Sequence, residues 1–173
     1  MNSQNAEKIT IMMSACLLGV KCNFKGGYSY DFTRNSHFWS KLLEKYNIIP
    51  ICPEQMGGLP TPRVPSELLD KASFVEAGKG IIINKTGTDV TVNFVKGAEE
   101  VLRLAKLYNV KMAVLKTKSP SCGVKTVYDG SFSGVLIPGM GYTAYLLNKN
   151  NMKVIDEADF CEAEKCTLAE FVK

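Results

Sequence analysis

The stretch "MAVLKTKSPSCG", residues 112–123, decides the fold because it joins the end of a buried segment to a polar turn that carries a thiol. Its apolar run ends at Leu115, and the turn then reaches Cys122. Short apolar runs with polar flanks are typical of buried strands. Two other stretches, "ITIMMSACLLG" and "NIIPICPEQMGG", have the same form, with Cys16 and Cys52 just past the apolar run. Three thiols therefore follow three predicted strands.

Helical patterns separate these strands. The clearest helix is predicted over 92–108, where apolar residues recur at intervals of three or four. The predicted elements are strands at 9–15, 48–51, 110–115 and 154–155, and helices at 37–46, 92–108, 141–148 and 161–173. Strands that alternate with helices indicate a mainly parallel sheet. The prediction is one α/β domain over residues 1–173, with three layers and a Rossmann-like sheet.

Segments rich in glycine and proline interrupt this alternation. Residues 53–65, "PEQMGGLPTPRVP", and 128–141, "YDGSFSGVLIPGMG", are predicted to be loops. Residues 80–91, "GIIINKTGTDVT", are predicted to form a hairpin or a small excursion. Loops that carry glycine and proline after each strand let the backbone turn sharply towards a common point.

Composition narrows the function classes. The 173 residues are 46% hydrophobic and 22% charged, as expected for a soluble globular protein. The net charge of +4 permits an anionic ligand, but it is no strong nucleic-acid signature. No apolar run approaches the roughly 20 residues that span a bilayer, and the N-terminus is polar. We therefore expect a cytoplasmic protein with no membrane partner, and a homo-oligomer remains open.

The cysteines carry the strongest functional signal. In a reducing compartment the six cysteines are expected to be reduced thiols, metal ligands or catalytic groups. Ligands of parallel α/β sheets bind beyond the carboxyl ends of the strands, so Cys16, Cys52 and Cys122 are expected to meet there. Three thiolates suit an iron–sulfur cluster or zinc. The alternative is that each cysteine is a small buried hydrophobe. The single histidine, His37, is predicted to be a surface or capping residue.

Three further cysteines have other expected roles. Cys22 lies six residues after Cys16 and would be needed as a fourth ligand if the site were closed. A four-iron cluster with three ligands instead leaves one iron open to a substrate. Cys161 and Cys166 have a CxxxxC spacing that is not a zinc-ribbon pattern. They are predicted to be structural or surface thiols.

Polar neighbours of the thiols are candidate catalytic residues. Glu54 lies two residues after Cys52 and can act as a general acid or base; alternatively it is a loop carboxylate paired with a base such as Arg63. Ser119 and Ser121 flank a proline beside the third cysteine. They can hold a substrate or relay a proton, or they can serve only in turn formation and helix capping.

Four motifs, "SACLLG", "CPEQMGGLPTPRVPSE", "SPSCG" and "YDGSFSG", resemble a bacterial family long labelled as a domain of unknown function, which includes thiouracil desulfurase. The resemblance spans residues 14–147. It implies a small α/β protein with a 4Fe–4S cluster held by Cys16, Cys52 and Cys122. The fourth iron would bind the sulfur that is removed from 2-thiouracil in a non-redox reaction. It also implies a catalytic glutamate, best matched by Glu54, and a catalytic serine, Ser119 or Ser121.

One motif departs from the family. Many relatives have Arg-Tyr-Asp-Gly after the first motif, whereas this chain has Asn23, Phe24 and Lys25 before the glycine. The departure bears on the thiouracil specificity and leaves the cluster unaffected. The predicted function is therefore cluster-dependent desulfuration of a thiolated nucleobase or related thio-heterocycle, a small molecule.

Two other classes of protein stay open. A metal- or cluster-binding sensor module without catalysis would want a fully ligated metal, with Cys22 as a ligand. A cysteine-based sulfur carrier would use Cys122 as a nucleophile or persulfide carrier, and this requires a lowered thiol pKa.

Overall fold

A central parallel sheet organises the structure, a computed structural model that describes residues 8–172. Its strands are β1 (Ile9–Ser14), β2 (Tyr46–Ile51), β5 (Met112–Leu115) and β8 (Lys153–Asp156), in the order β2-β1-β5-β8. All three pairings are parallel, and Met12 of β1 lies opposite Ile49 and Ala113. The strand order reverses between β1 and β5, and this is the point where ligands bind in such sheets.

The other strands form two small antiparallel ribbons. β3 (Ser66–Leu68) pairs with β4 (Ile82–Asn84), and β6 (Thr126–Tyr128) pairs with β7 (Leu136–Pro138). The helices are α1 (Ser36–Lys45), α2 (Pro53–Met56), α3 (Ala72–Glu76), α4 (Thr91–Leu107), α5 (Tyr142–Lys149) and α6 (Glu157–Ala163). None of the helices within residues 8–172 has the length and apolar character that a membrane span needs.

Helices cover both faces of the central sheet, as the α/β prediction required. Successive side chains of a strand point to opposite faces. Met12 accordingly packs with residues of α4 and α5, whereas Ile11 and Met13 pack with residues of α1 and α6. The two central strands, β1 and β5, are buried over most of their length, and their sequences are mainly apolar. The predicted three-layer α/β arrangement is confirmed.

Two glycines bring α2 against α4. A methyl group on Gly57 would lie 1.9 Å from the carbonyl oxygen of Asn93, and one on Gly97 would lie 1.9 Å from that of Pro53. Only hydrogen fits at these two positions, so the short helix is held close to the long one. This contact fixes α2, which follows β2 directly.

Several sequence predictions need correction. Residues 53–65 were predicted to be a loop, but they begin with helix α2. Pro53 occupies the first turn of this helix, where the missing N–H of proline has no cost. Residues 128–141 contain β7, and β3 and α3 had no predicted counterpart. Residues 80–91 do form the predicted small hairpin, closed by a bridge between Ile83 and Asp89, and its first strand also pairs with β3. These elements are short, and tertiary pairing stabilises them.

The predicted terminal helix over 161–173 is also wrong. Helix α6 begins earlier because the Asp156 side chain caps it, and it ends at Ala163. Lys165 then adopts a left-handed conformation with φ of 58°, and a short 3-10 turn, Leu168–Phe171, comes next. Phe171 is fully buried and packs this turn against the cluster between α1 and α6. Residues 1–7 and Lys173, which the predicted domain includes, lie outside the described residues.

Candidate active site

A cavity of about 450 Å³ opens at the carboxyl ends of β1, β2 and β5. Cys16, Cys52 and Cys122 all line it, and Cys22 does too. The structure therefore brings together the three thiols that the strand positions selected. It also places the fourth thiol beside them.

Each of the three thiols is held by the turn that ends its strand. Cys16 lies in a 3-10 turn, Ala15–Leu17, directly after β1. Cys52 occupies the position that precedes the first turn of α2. Cys122 lies in a turn in which the Ser119 hydroxyl oxygen accepts hydrogen bonds of 3.1 Å from the backbone N–H groups of Ser121 and Cys122. Because β1, β2 and β5 are neighbours, the three turns surround one space.

The Cys22 thiol contacts two of the other thiols. Hydrogen bonding to Cys22 lowers the pKa of Cys16, and it lowers the pKa of Cys52 to about 7. The same contacts raise the pKa of Cys22 itself. In its thiol form Cys52 donates to the Cys22 carbonyl oxygen at 3.7 Å, whereas as a thiolate it accepts from the Cys22 thiol. Two of the three candidate ligands are thus inclined to the thiolate form that binds metals.

Cys122 has a different environment. Its side chain is 4% exposed, and burial raises the pKa of its thiol, with a further contribution from the negative charge of Glu54. The sulfur-carrier hypothesis required a lowered pKa at this residue. Burial instead raises the pKa of Cys122, and this disfavours the sulfur-carrier hypothesis.

Glu54 reaches the cavity from the first turn of α2. Its carboxylate forms an ion pair with Arg63, whose guanidinium also donates to the Cys22 carbonyl oxygen at 3.0 Å. Burial raises the pKa of Glu54, and the charge of Arg63 opposes that rise. The predicted alternative, a carboxylate paired with Arg63, is thus present, and the same carboxylate also faces the cavity.

The two candidate serines occupy different environments. Ser119 lines the cavity. Ser121 is fully buried, its hydroxyl bonds to that of Thr143 at 2.8 Å, and it is not part of the cavity wall. The turn at Pro120 sends the two hydroxyls in different directions. Ser119 is therefore the better placed of the two.

The remaining candidates lie elsewhere. Cys161 is buried among the residues that pack under α1 and α6, and Cys166 packs against the same cluster. Neither lines the cavity, so the expectation of a structural thiol is confirmed for Cys161. His37 is exposed near the start of α1, as predicted.

Sequence reasoning missed several cavity residues. The Lys116 ammonium lines the cavity and bonds at 2.5 Å to Glu157, a carboxylate that is 1% exposed. Glu67 and Phe132 also line it. Lys116 lies just before the SPSCG motif, and this position was the only sequence signal for its role. Glu67 and Phe132 lay inside motifs of the family, but no local pattern indicated that they meet.

The side chains present fit an iron–sulfur cluster. Thiolates are the usual ligands of such clusters, and three of them face one cavity. Within residues 8–172, no group of three or more His, Cys, Asp or Glu side chains is arranged to hold a single metal ion. A four-iron cluster binds each cysteine at a different iron, and therefore accepts thiols that stand apart around a cavity.

Comparison with known proteins agrees with this site. The sequence profile of the 2-thiouracil desulfurase family matches residues 11–159. The uncharacterized protein YbbK of Bacillus subtilis (strain 168) is 37% identical over 148 residues, which cover 85% of this chain and 95% of YbbK. A solved structure of the 4Fe–4S-dependent thiouracil desulfidase TudS is 34% identical, with a TM-score of 0.76, and the match covers 94% of this chain and 97% of that chain.

The fold and the site thus define an α/β protein with a thiol-lined cavity at the carboxyl edge of a parallel sheet. The chain belongs to the 2-thiouracil desulfurase family.

Proposed function

We propose that this protein removes sulfur from a thiolated nucleobase of the 2-thiouracil type, without net redox change, at a 4Fe–4S cluster held by Cys16, Cys52 and Cys122. One observation carries the proposal: the three thiols and the Glu54 carboxylate line a single cavity at the carboxyl ends of neighbouring strands. Family membership and the cluster dependence of the similar TudS protein support it.

The overall reaction balances without an oxidant or reductant. Water supplies the oxygen of the new carbonyl group, the carbon–sulfur bond breaks, and the sulfur leaves as hydrosulfide. When bound, the cluster supplies a Lewis-acidic iron without a protein ligand, which can polarise the thiocarbonyl group through its sulfur.

Glu54 is the proposed proton-transfer group. A carboxylate with a raised pKa can take a proton from the attacking water and return it to the ring or to the leaving sulfur. The ion pair with Arg63 fixes the direction of the carboxylate at the cavity wall. Burial of both side chains excludes bulk water, which would otherwise compete for the proton.

Ser119 is the proposed substrate-holding group. Its oxygen already accepts two backbone hydrogen bonds, from Ser121 and Cys122. A hydroxyl whose acceptor capacity is used donates its own hydrogen elsewhere, and a carbonyl or ring nitrogen in the cavity is a suitable acceptor. Ser119 would orient the heterocycle, while Ser121 stabilises the turn through Thr143.

The sensor alternative keeps one supporting observation. Cys22 lies in the same cavity, in contact with Cys16 and Cys52, and could complete a four-thiolate site. A closed site would leave no iron for a substrate, so the two functions differ in whether Cys22 is a ligand.

The test is anaerobic reconstitution with iron and sulfide, followed by incubation with 2-thiouracil. We expect a brown protein with broad visible absorbance, and equal amounts of uracil and hydrosulfide. Protein kept free of iron serves as the control and should release neither product. A reconstituted protein that holds the cluster but converts none of a panel of thiolated bases and nucleosides would contradict the proposal and favour the sensor.

A further inference from the structure

The tip of the β6–β7 hairpin forms part of the cavity wall, and the proposed desulfuration chemistry gives it no role. The tip covers residues 129–134. Tyr128 at its base, Phe132 and Gly134 all line the cavity. Two aromatic residues therefore line the space in which the substrate would lie.

A buried carboxylate from another ribbon holds this tip. Glu67 of β3 is 7% exposed, and its Oε2 accepts hydrogen bonds of 3.0 Å from the backbone N–H groups of both Gly130 and Phe132. Hydrogen bonds to an ionised acceptor are roughly twice as strong as those between neutral groups. The pairing of β3 with β4 anchors Glu67 in turn. The tip is thus tied to a second element rather than free in solvent.

The backbone of the tip is held in an uncommon conformation. Phe132 has φ of 56°, in the left-handed region that bulky residues rarely adopt. Gly130 has φ of +89°, and a methyl group there would lie 2.9 Å from the Leu68 carbonyl oxygen. Such conformations persist where the surrounding structure determines them, and they are frequent at ligand-binding sites. Here the two hydrogen bonds to Glu67 stabilise the backbone conformation of the tip and so fix the position of Phe132.

We infer that Phe132 is a specificity-determining residue on whose ring the flat heterocycle stacks, and that Glu67 is the positioning residue that presents it. The inference rests on the proposed function, because it concerns the substrate of the same site. Aromatic rings stack on one another with offset faces, and every nucleobase has a π-face for such a contact. Glu54 and the thiol-lined end of the cavity would then face the sulfur-bearing carbon, while Phe132 selects planar rings over non-planar ones.

Binding of uracil to the reconstituted protein tests the role of Phe132 without any turnover. Stacking of a base on an aromatic side chain is typically worth about 1–3 kcal/mol, so Phe132→Ala should raise the Kd of uracil roughly 5- to 150-fold. Phe132→Leu, which keeps apolar volume but has no π-face, should bind nearly as weakly, and Phe132→Tyr nearly as well as the wild type. Isothermal titration calorimetry under anaerobic conditions measures each value.

Leu136→Ala is the matched control, because Leu136 is a partly exposed apolar residue of the same hairpin and does not line the cavity. It should bind uracil like the wild type. In steady-state assays with 2-thiouracil, Phe132→Ala should raise KM more than it lowers kcat, with the cluster absorbance unchanged.

A double-mutant cycle tests the role of Glu67. Glu67→Gln nearly preserves shape but removes the charge that holds the tip, and it should weaken uracil binding in the same direction. If Glu67 acts through Phe132, adding Glu67→Gln to Phe132→Ala should weaken binding little further. Additive losses would show that Glu67 affects binding by another route, and would overturn its positioning role.

Three results separate failure of this inference from failure of the proposed function. A wild-type protein that desulfurates 2-thiouracil, with Phe132→Ala and Phe132→Leu within twofold of its KM and Kd, overturns the stacking role alone. Equal weakening by Leu136→Ala also overturns it, because the effect would then belong to the hairpin as a whole. A wild-type protein that holds the cluster but neither binds uracil nor converts any of the panel of thiolated bases and nucleosides overturns the proposed function and this inference together.

Discussion

The carboxylate of Glu54 and the guanidinium of Arg63 form an ion pair at the cavity wall, with their side chains 15% and 6% exposed. Two charges buried together stabilise each other, and removal of one partner leaves the other uncompensated. Arg63 also donates to the Cys22 carbonyl oxygen, so the pair links α2 to the loop after β1. The candidate proton-transfer group is thus fixed in position by an arginine that follows it in sequence by nine residues.

Glu54→Gln should keep the cluster and lose turnover. Glutamine preserves the reach of the side chain and an acceptor oxygen for Arg63, but it cannot move a proton. General acid–base groups contribute on the order of 10² to 10⁴ in rate, so kcat should fall by that factor. The measurement compares cluster absorbance with the rate of hydrosulfide release, and Glu44→Gln on the exposed face of α1 is the control. Near-normal turnover would reduce Glu54 to an ion-pair partner and move the proton-transfer role to Ser119 or a water.

Arg63→Met should shift the pH dependence of the reaction. Burial raises the pKa of Glu54 and Arg63 opposes the rise, so removal of the guanidinium should raise this pKa further. A general base works only when deprotonated, and the acidic limb of the kcat/KM profile should therefore move to higher pH. Arg103→Met, at an exposed position on α4, should leave the profile unchanged. A limb that stays in place or moves to lower pH would show that Glu54 is not the base that controls it.

Alanine substitution of Cys16, Cys52 or Cys122 should abolish the cluster. Each substitution removes one of three proposed ligands, so visible absorbance and activity should fall together after reconstitution. Cys161→Ala provides the matched control, since this thiol is buried outside the cavity and its loss should leave the absorbance intact. A brown, active protein with any one of the three thiols removed would disprove the assignment of that residue.

Cys22→Ala should still assemble the cluster, because three ligands suffice for an open site. In the metal-free protein, loss of the Cys22 hydrogen bond should raise the pKa of Cys52 above about 7 and so lower its thiolate fraction at neutral pH. Alkylation of Cys52 by iodoacetamide, followed by peptide mass spectrometry, should accordingly be slower. Failure of the variant to take up iron and sulfide would instead identify Cys22 as a ligand and support the closed-site sensor.

Gly97→Ala should destabilise the protein and displace α2. A methyl group at this position would lie 1.9 Å from the Pro53 carbonyl oxygen, and the two helices would have to separate. Overpacking of this kind typically costs about 1–3 kcal/mol. Urea unfolding measures the loss, with the exposed Lys96→Ala on the same helix as the control. An unchanged or higher unfolding free energy would mean that the interface can adjust, since alanine favours a helix more than glycine does.

Long or strongly apolar elements were predictable from sequence. Helix α4 has many residues with one periodic face, and β1 and β5 are continuous apolar runs, so local pattern and tertiary burial agree. Helix α2 and strands β3, β6 and β7 have only three or four residues each. Segments of that length have no period to detect, and they depend on a partner that is distant in the chain. The break in the predicted terminal helix likewise depends on the left-handed Lys165.

The sequence by itself determined which thiols follow parallel strands, and therefore that Cys16, Cys52 and Cys122 would converge, because the carboxyl ends of adjacent strands share one edge of a sheet. Tertiary structure alone decided which serine faces the cavity, since the directions of Ser119 and Ser121 depend on one turn and on the bond to Thr143. It also decided that Glu67 holds Phe132, a contact between residues 65 positions apart. Local sequence encodes the ends of strands, whereas contacts across loops exist only after the separate ribbons have packed together.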